Sequence, residues 1–203
     1  MKKILNILLT LLVMISTMGC TNSRDYSLQN GDIIFHTSLS SQSQFIQEAT
    51  NSKLSHVGVI YIKEGKPYVF EAVEPVKITP LDEWINRGKD NKYKVYRTTT
   101  PLSETDLNKM YDYCVTQQSK HYDMKFQWND DKIYCSELVW GAYNSVGIQL
   151  SIPKTFSDFA IDSPEIKKEI IRRYGDKFVQ SEPVVSPQCL VESKYLYEIF
   201  SNY

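Results

Sequence analysis

The sequence predicts an α+β fold built on an antiparallel sheet. Extended segments come first, a tight hairpin joins two of them, and amphipathic helices are interspersed without regular βαβ alternation. Asn30-Gly31-Asp32 opens the domain as a turn, and Ile33-Ile34-Phe35 continues as a short buried strand. Residues 40–51 read as a helix with serines at its start and Phe45, Ile46 and Ala49 on its apolar side. Residues 55–62 read as a strand, 63–66 as a turn around Glu64-Gly65, and 67–74 as the returning strand. Thr79-Pro80 then starts a helix through Trp84 and Ile85, with proline at the first helical position. Residues 93–98 alternate like a strand. Ser103 with Asp106 makes a capping signature ahead of Leu107, Met110, Tyr111 and Cys114, which share one helical face. A second such helix runs from about 135 to 146, with Leu138, Val139, Ala142 and Val146 inward and Gly147 as its stop. Ser163-Pro164 begins another that ends at Gly175, and Ser186-Pro187 begins a short turn before the last segment, 195–200.

The 203 residues are 42% hydrophobic and 23% charged, which suits one domain or at most two. Because 23 basic residues face 24 acidic ones, a polybasic nucleic-acid surface is excluded as a partner site. Aromatic residues at 12% exclude a disordered chain. Lys2 and Lys3, an apolar run over 4–18 and a small residue before Cys20 read as a lipoprotein signal peptide over 1–19. A plain secretory signal is the other reading. A lipid on Cys20 would anchor the domain, about 30–203, to a membrane through a polar leash over 20–29. Three cysteines then remain, Cys114, Cys135 and Cys189, and an odd thiol in an exported protein is potentially reactive. One disulfide with one free thiol also fits that count. Scattered His and Cys lack close-paired metal spacing, and no Gly-rich phosphate loop occurs, so no metal and no cofactor is signalled.

The hairpin places a candidate site. If Glu64-Gly65 is a two-residue loop, Lys63 pairs with Lys66, Gly58 faces Glu71 and His56 faces Val73. His56 and Glu71 then share a face as diagonal neighbours, within reach of an imidazole–carboxylate bond, while Glu74 falls on the other face. Gly58 beside Glu71 leaves room for it. A His oriented by a carboxylate is two-thirds of a nucleophilic triad, and is equally an ordinary pair at a sheet edge. Cys135 lies in the first turn of its helix, where the N-terminal partial charge lowers a thiol pKa and a backbone N–H is free to meet an oxyanion. Cys114 reads as core, and Cys189, also near a helix start, is not dismissed by placement. His36 reads as a pocket wall or a surface residue, and His121 sits in a polar loop.

Asn30-Gly31-Asp32-Ile33-Ile34-Phe35, Ser55-His56-Val57-Gly58, Glu71 and Tyr134-Cys135-Ser136-Glu137-Leu138 together resemble the YiiX-like family. Its members are permuted papain-fold hydrolases related to NlpC-type cell-wall amidases and to lecithin retinol acyltransferase-like enzymes. The likeness spans roughly 30–200. His56 precedes Cys135 by 79 residues, the order that a circular permutation of a papain-like chain gives. The resemblance implies Cys135 as nucleophile, His56 as base and Glu71 as the group orienting His56. It implies Tyr122 and Asp123 as pocket residues, with loop ordering as their other role, and Tyr134 bordering the oxyanion site, with helix-entry packing as its other role. Cys189 stands where relatives are expected to carry an acid. The function implied is a cell-envelope thiol hydrolase cleaving a peptidoglycan-type peptide or another small amide through a thioester. A lipid acyltransferase or lipid hydrolase on the same triad is the alternative, and an inert envelope binding module is the third.

Overall fold

The structure is a computed structural model that describes residues 26–128 and 131–203. The expected signal peptide, the lipidated Cys20 and the start of the leash lie outside the described residues.

The strands are β1 (Ile33–Ser38), β2 (His56–Lys63), β3 (Lys66–Glu71), β4 (Lys77–Pro80), β5 (Gly88–Thr98), β6 (His121–Tyr122), β7 (Lys132–Ile133), β8 (Lys154–Thr155), β9 (Pro183–Val184) and β10 (Leu196–Ser201). The helices are α1 (Ser43–Thr50), α2 (Leu81–Asn86), α3 (Glu104–Gln117), α4 (Cys135–Asn144), α5 (Pro164–Tyr174) and α6 (Pro187–Val191). Among the described residues six strands form one sheet in the order β10-β5-β1-β2-β3-β4, every neighbouring pair antiparallel. The α+β expectation therefore holds.

The hairpin forms in the expected register. Lys63 pairs with Lys66 and Val59 with Phe70. Glu64 and Gly65 both have positive φ, 51° and 73°, the backbone of the two-residue turn that matches the twist of paired strands. Alternation then sorts each strand between two cores. Ile33, Phe35, Val57, Val59 and Phe70 face α3 and α4, meeting Met110, Cys114, Leu138, Val139 and Ala142. Ile34, Ile60, Val69 and Val95 face the other way, onto Leu81 and Trp84 of α2. Burying Trp84 completely contributes at most roughly 4–6 kcal/mol of hydrophobic stabilisation. A third cluster, Phe45, Phe126, Phe156, Ile166 and Tyr174, ties α1 and α5 to the loops around α4.

The opening turn is fixed by charge. Asp32, buried, accepts from the Gln29 N–H at 2.7 Å and from Arg97 Nε and Nη2 at 2.7 and 2.8 Å. Gly31 has φ 86°, and a Cβ there would lie 2.6 Å from Leu102 Cδ1, so only glycine fits.

Several boundaries differ from expectation, each for a local reason. The returning strand ends at Glu71, and the chain re-enters the sheet as β4, which takes Thr79 into a strand and leaves Pro80 as the residue before α2 rather than its first turn. β5 starts at Gly88, five residues early, because Lys89, Asp90, Asn91 and Lys92 are all exposed and carry no alternation to read. Gly58 makes room for other neighbours than Glu71: a Cβ there would sit 2.3 Å from Val69 Cγ1 and 2.6 Å from the Phe70 carbonyl oxygen. The caps hold as expected. Ser103, Ser163 and Ser186 accept from the N–H groups of Asp106, Ile166 and Cys189 at 3.1, 3.2 and 3.1 Å.

Candidate active site

Hairpin parity puts His56 and Glu71 on the α2 side of the sheet, at the end where β2 begins and β3 finishes. Their side chains meet there, His56 Nε2 to Glu71 Oε2 at 2.8 Å. The other carboxylate oxygen accepts from Thr79 Oγ1 at 2.5 Å and from Arg87 Nη2. Glu71 is fully buried, so each of these bonds offsets part of the cost of dehydrating its charge. Burial alone would push its pKa up, but the bond and charge of His56, then Thr79 and Arg87, hold it down at about 2.

With Nε2 committed to Glu71, Nδ1 is the ring nitrogen left for Cys135, and the His56 ring hydrogen-bonds the thiol. Cys135 is the first residue of α4, so its N–H is one of the four that a helix leaves outside its own ladder. Burial works against a thiolate here. His56, as bond donor and as charge, outweighs it, and the Tyr122 hydroxyl and the Val57 N–H add further donors, so the Cys135 pKa falls below the ordinary thiol value. The reciprocal shift appears on His56. Burial opposes its charge, but Cys135 and Glu71 raise its pKa to about 9. A thiolate–imidazolium pair follows over the whole range between the two pKa values. Tyr122, half-buried beside Cys135, has its own pKa driven well up, chiefly by desolvation, and stays a protonated donor.

Trp84 and His36 complete the wall behind His56. Their rings stack with centroids 3.8 Å apart, and His36 lies 5.2 Å from His56. Burial, then the charge of His56, lowers the His36 pKa well below its usual value, which keeps a second positive charge away from the His56 ring.

The other expected residues fall as follows. Tyr134 precedes α4 and its hydroxyl accepts from the Val185 N–H at 3.2 Å, while its ring meets Phe126 edge-on at 5.4 Å. Asp123 is buried and accepts from the Lys125 and Gln127 N–H groups at 2.8 and 2.7 Å, ordering the loop after Tyr122. Cys114 is core, its thiol pushed to about 12 by burial. Cys189 is buried and accepts from Ser186 Oγ at 3.1 Å. Cys114, Cys135 and Cys189 are all free thiols, so the disulfide arrangement is excluded among the described residues. His121 sits exposed against Glu74, which also accepts from the Tyr122 N–H at 2.9 Å.

Thr79 and Arg87 escaped sequence reasoning. The sequence pattern makes Thr79 a helix start; placed in a strand paired with β3 it becomes a diagonal neighbour of Glu71, since Val69 pairs with it. Arg87 closes α2, and nothing near it in sequence points to Glu71.

The chain resembles known proteins in sequence and in fold. The family of permuted papain-like amidase enzymes called YaeF/YiiX, or C92, matches residues 27–200. The protein YiiX of Escherichia coli (strain K12) is 43% identical over 169 residues, covering 83% of this chain and 84% of its own. A crystal structure of YiiX from Escherichia coli O157:H7, described as a metalloprotein, is 40% identical with a TM-score of 0.84 over 88% of this chain and 99% of that one. The chain thus belongs to the C92 family of permuted papain-like amidases and is a cysteine hydrolase.

Proposed function

We propose that this enzyme hydrolyses a small or peptide-type amide at the bacterial cell envelope, with Cys135 as nucleophile, His56 as acid and base, and Glu71 as the orienting group. The observation that carries this reading is the thiol at the first turn of α4 against an imidazole whose far nitrogen is held by a buried carboxylate. Thiolate Cys135 attacks the carbonyl carbon while the helix N-terminus receives the developing oxyanion. As the C–N bond breaks, imidazolium His56 gives its proton to the leaving amine and a thioester remains. Neutral His56 then takes a proton from water, the hydroxide attacks, the C–S bond breaks and the thiolate is restored.

The metalloprotein description belongs to the relative. Among the described residues here, no group of three or more His, Cys, Asp or Glu side chains is placed to hold a metal ion, and both Glu71 oxygens are already committed to His56, Thr79 and Arg87. The donor set does not fit, and no step runs through a metal.

The pH dependence of alkylation, mapped to each cysteine by mass spectrometry, tests the pair without a substrate. Cys135 is expected to react well below pH ~8.5, the value of a free thiol, and His56→Ala to move its midpoint up. Equal reactivity of Cys135, Cys114 and Cys189 would end the reading. The envelope placement rests on the N-terminal residues: labelled palmitate should enter the full chain and be lost in Cys20→Ala, and a labelled Cys20→Ala chain would refute the anchor.

A further inference from the structure

Two spaces of very different size flank the reacting pair, Cys135 lining one and His56 the other. One is a narrow slot of about 40 Å³ walled by Phe45, Ala49, Phe126, Phe156, Val184 and Cys135 itself. The other is a trough of about 690 Å³ whose walls carry His36, Gln42, His56, Glu74, Arg87 and Tyr122. Ile46 lines both.

The chemistry of the site decides which half of a substrate enters each space. The carbonyl carbon becomes bonded to Cys135, so the group attached to it must lie on the Cys135 side. The leaving nitrogen must receive a proton from His56, so it lies on the His56 side. From this geometry, and resting on the hydrolase mechanism above, we infer that the enzyme selects amides by a slender apolar acyl group, the leaving amine occupying the wider trough. The slot holds about three to four water-sized groups, since one needs roughly 10–15 Å³. That admits an unbranched aliphatic chain or a small aliphatic side chain and rejects a ring or a charge, which would be buried among phenylalanines without a partner. The trough is far wider, and its walls mix Arg87 and Glu74 with Leu39, Val73 and Met124, so the leaving group is held less selectively than the acyl group.

The test is acylation of the folded chain by p-nitrophenyl esters of acetic, propanoic, butanoic and pentanoic acids, followed by p-nitrophenolate release. Each rate constant is divided by that of free cysteine thiolate with the same ester, and mass spectrometry locates the acyl group. The normalised rate should climb roughly fourfold per methylene, about sixty-fold from acetyl to pentanoyl. The branched 2,2-dimethylpropanoyl ester, with the same number of carbons, and the charged monosuccinyl ester should both fall at least tenfold below pentanoyl. Ala49→Phe should collapse the pentanoyl-to-acetyl ratio; if that variant fails to fold, the wild-type series stands by itself. A flat series with the acyl group on Cys135, or a preference for monosuccinyl, overturns the acyl assignment and leaves the hydrolase reading intact. Absence of acyl-Cys135 with every ester overturns both.

Discussion

Cys135→Ala is expected to lower turnover of a butanoyl p-nitroanilide by roughly four to six orders of magnitude, the loss seen when a nucleophile is removed from a working triad. Nothing else at the site replaces it. Cys114 lies in the core with its thiol pushed to about 12, and Cys189 is buried with Ser186. The side chain is small and buried, so the variant should keep its circular dichroism spectrum and melt within a few degrees of wild type. Activity within tenfold of wild type in that folded variant would remove Cys135 from the mechanism.

Glu71→Gln is expected to cost about three to four orders of magnitude in kcat, as when the orienting carboxylate of a triad is neutralised. The carboxylate does two things that an amide cannot. It can only accept, so it keeps a proton on His56 Nε2 where an amide could turn its NH2 to the ring and favour the wrong tautomer, and its charge helps to raise the His56 pKa to about 9. His56 is therefore charged below about pH 9 in the native enzyme, and in the variant that limit drops toward the ordinary value near 6.5. The alkylation midpoint of Cys135 should rise in step, which simple loosening of the fold would not produce. Stability responds with the opposite sign. The Glu71 pKa is depressed from 4.5 to about 2, so its contribution is complete above about pH 4.5 and disappears as pH falls through 2. Glu71→Gln removes that acid-side dependence and costs about 1–3 kcal/mol at neutral pH, because Thr79 and Arg87 lose a charged acceptor. Urea unfolding at pH 3 and pH 7 measures both, and an unchanged difference between the two pH values would show that the carboxylate is not ionised in the native state.

How far the site was legible follows from how local each signal is. A two-residue turn with glycine in second place fixes register by itself, so the facing of His56 and Glu71, and the exclusion of Glu74, could be read directly. The start of α4 at Cys135 was legible for the same reason, through an amphipathic face and a stop at Gly147. Tyr122 entered only through family resemblance, and its place against the thiol depends on the 121–122 segment meeting α4. Arg87 and the Trp84–His36 stack depend on how α2 folds back over the sheet, which no residue pattern within six positions of helix encodes. Exposed Lys89 to Lys92 hid the start of β5, because a strand edge in water has no reason to alternate.

The distance along the chain between the two halves of the pair has a further consequence. His56 and Cys135 are 79 residues apart, on separate elements, and the thiol owes its low pKa to the ring. In an unfolded chain the same thiol has a pKa near ~8.5 and is mostly protonated at neutral pH. Docking of α4 onto the sheet is thus the activation event. The unfolded polypeptide carries an ordinary thiol, and only the folding that brings α4 against β2 turns it into a thiolate at neutral pH.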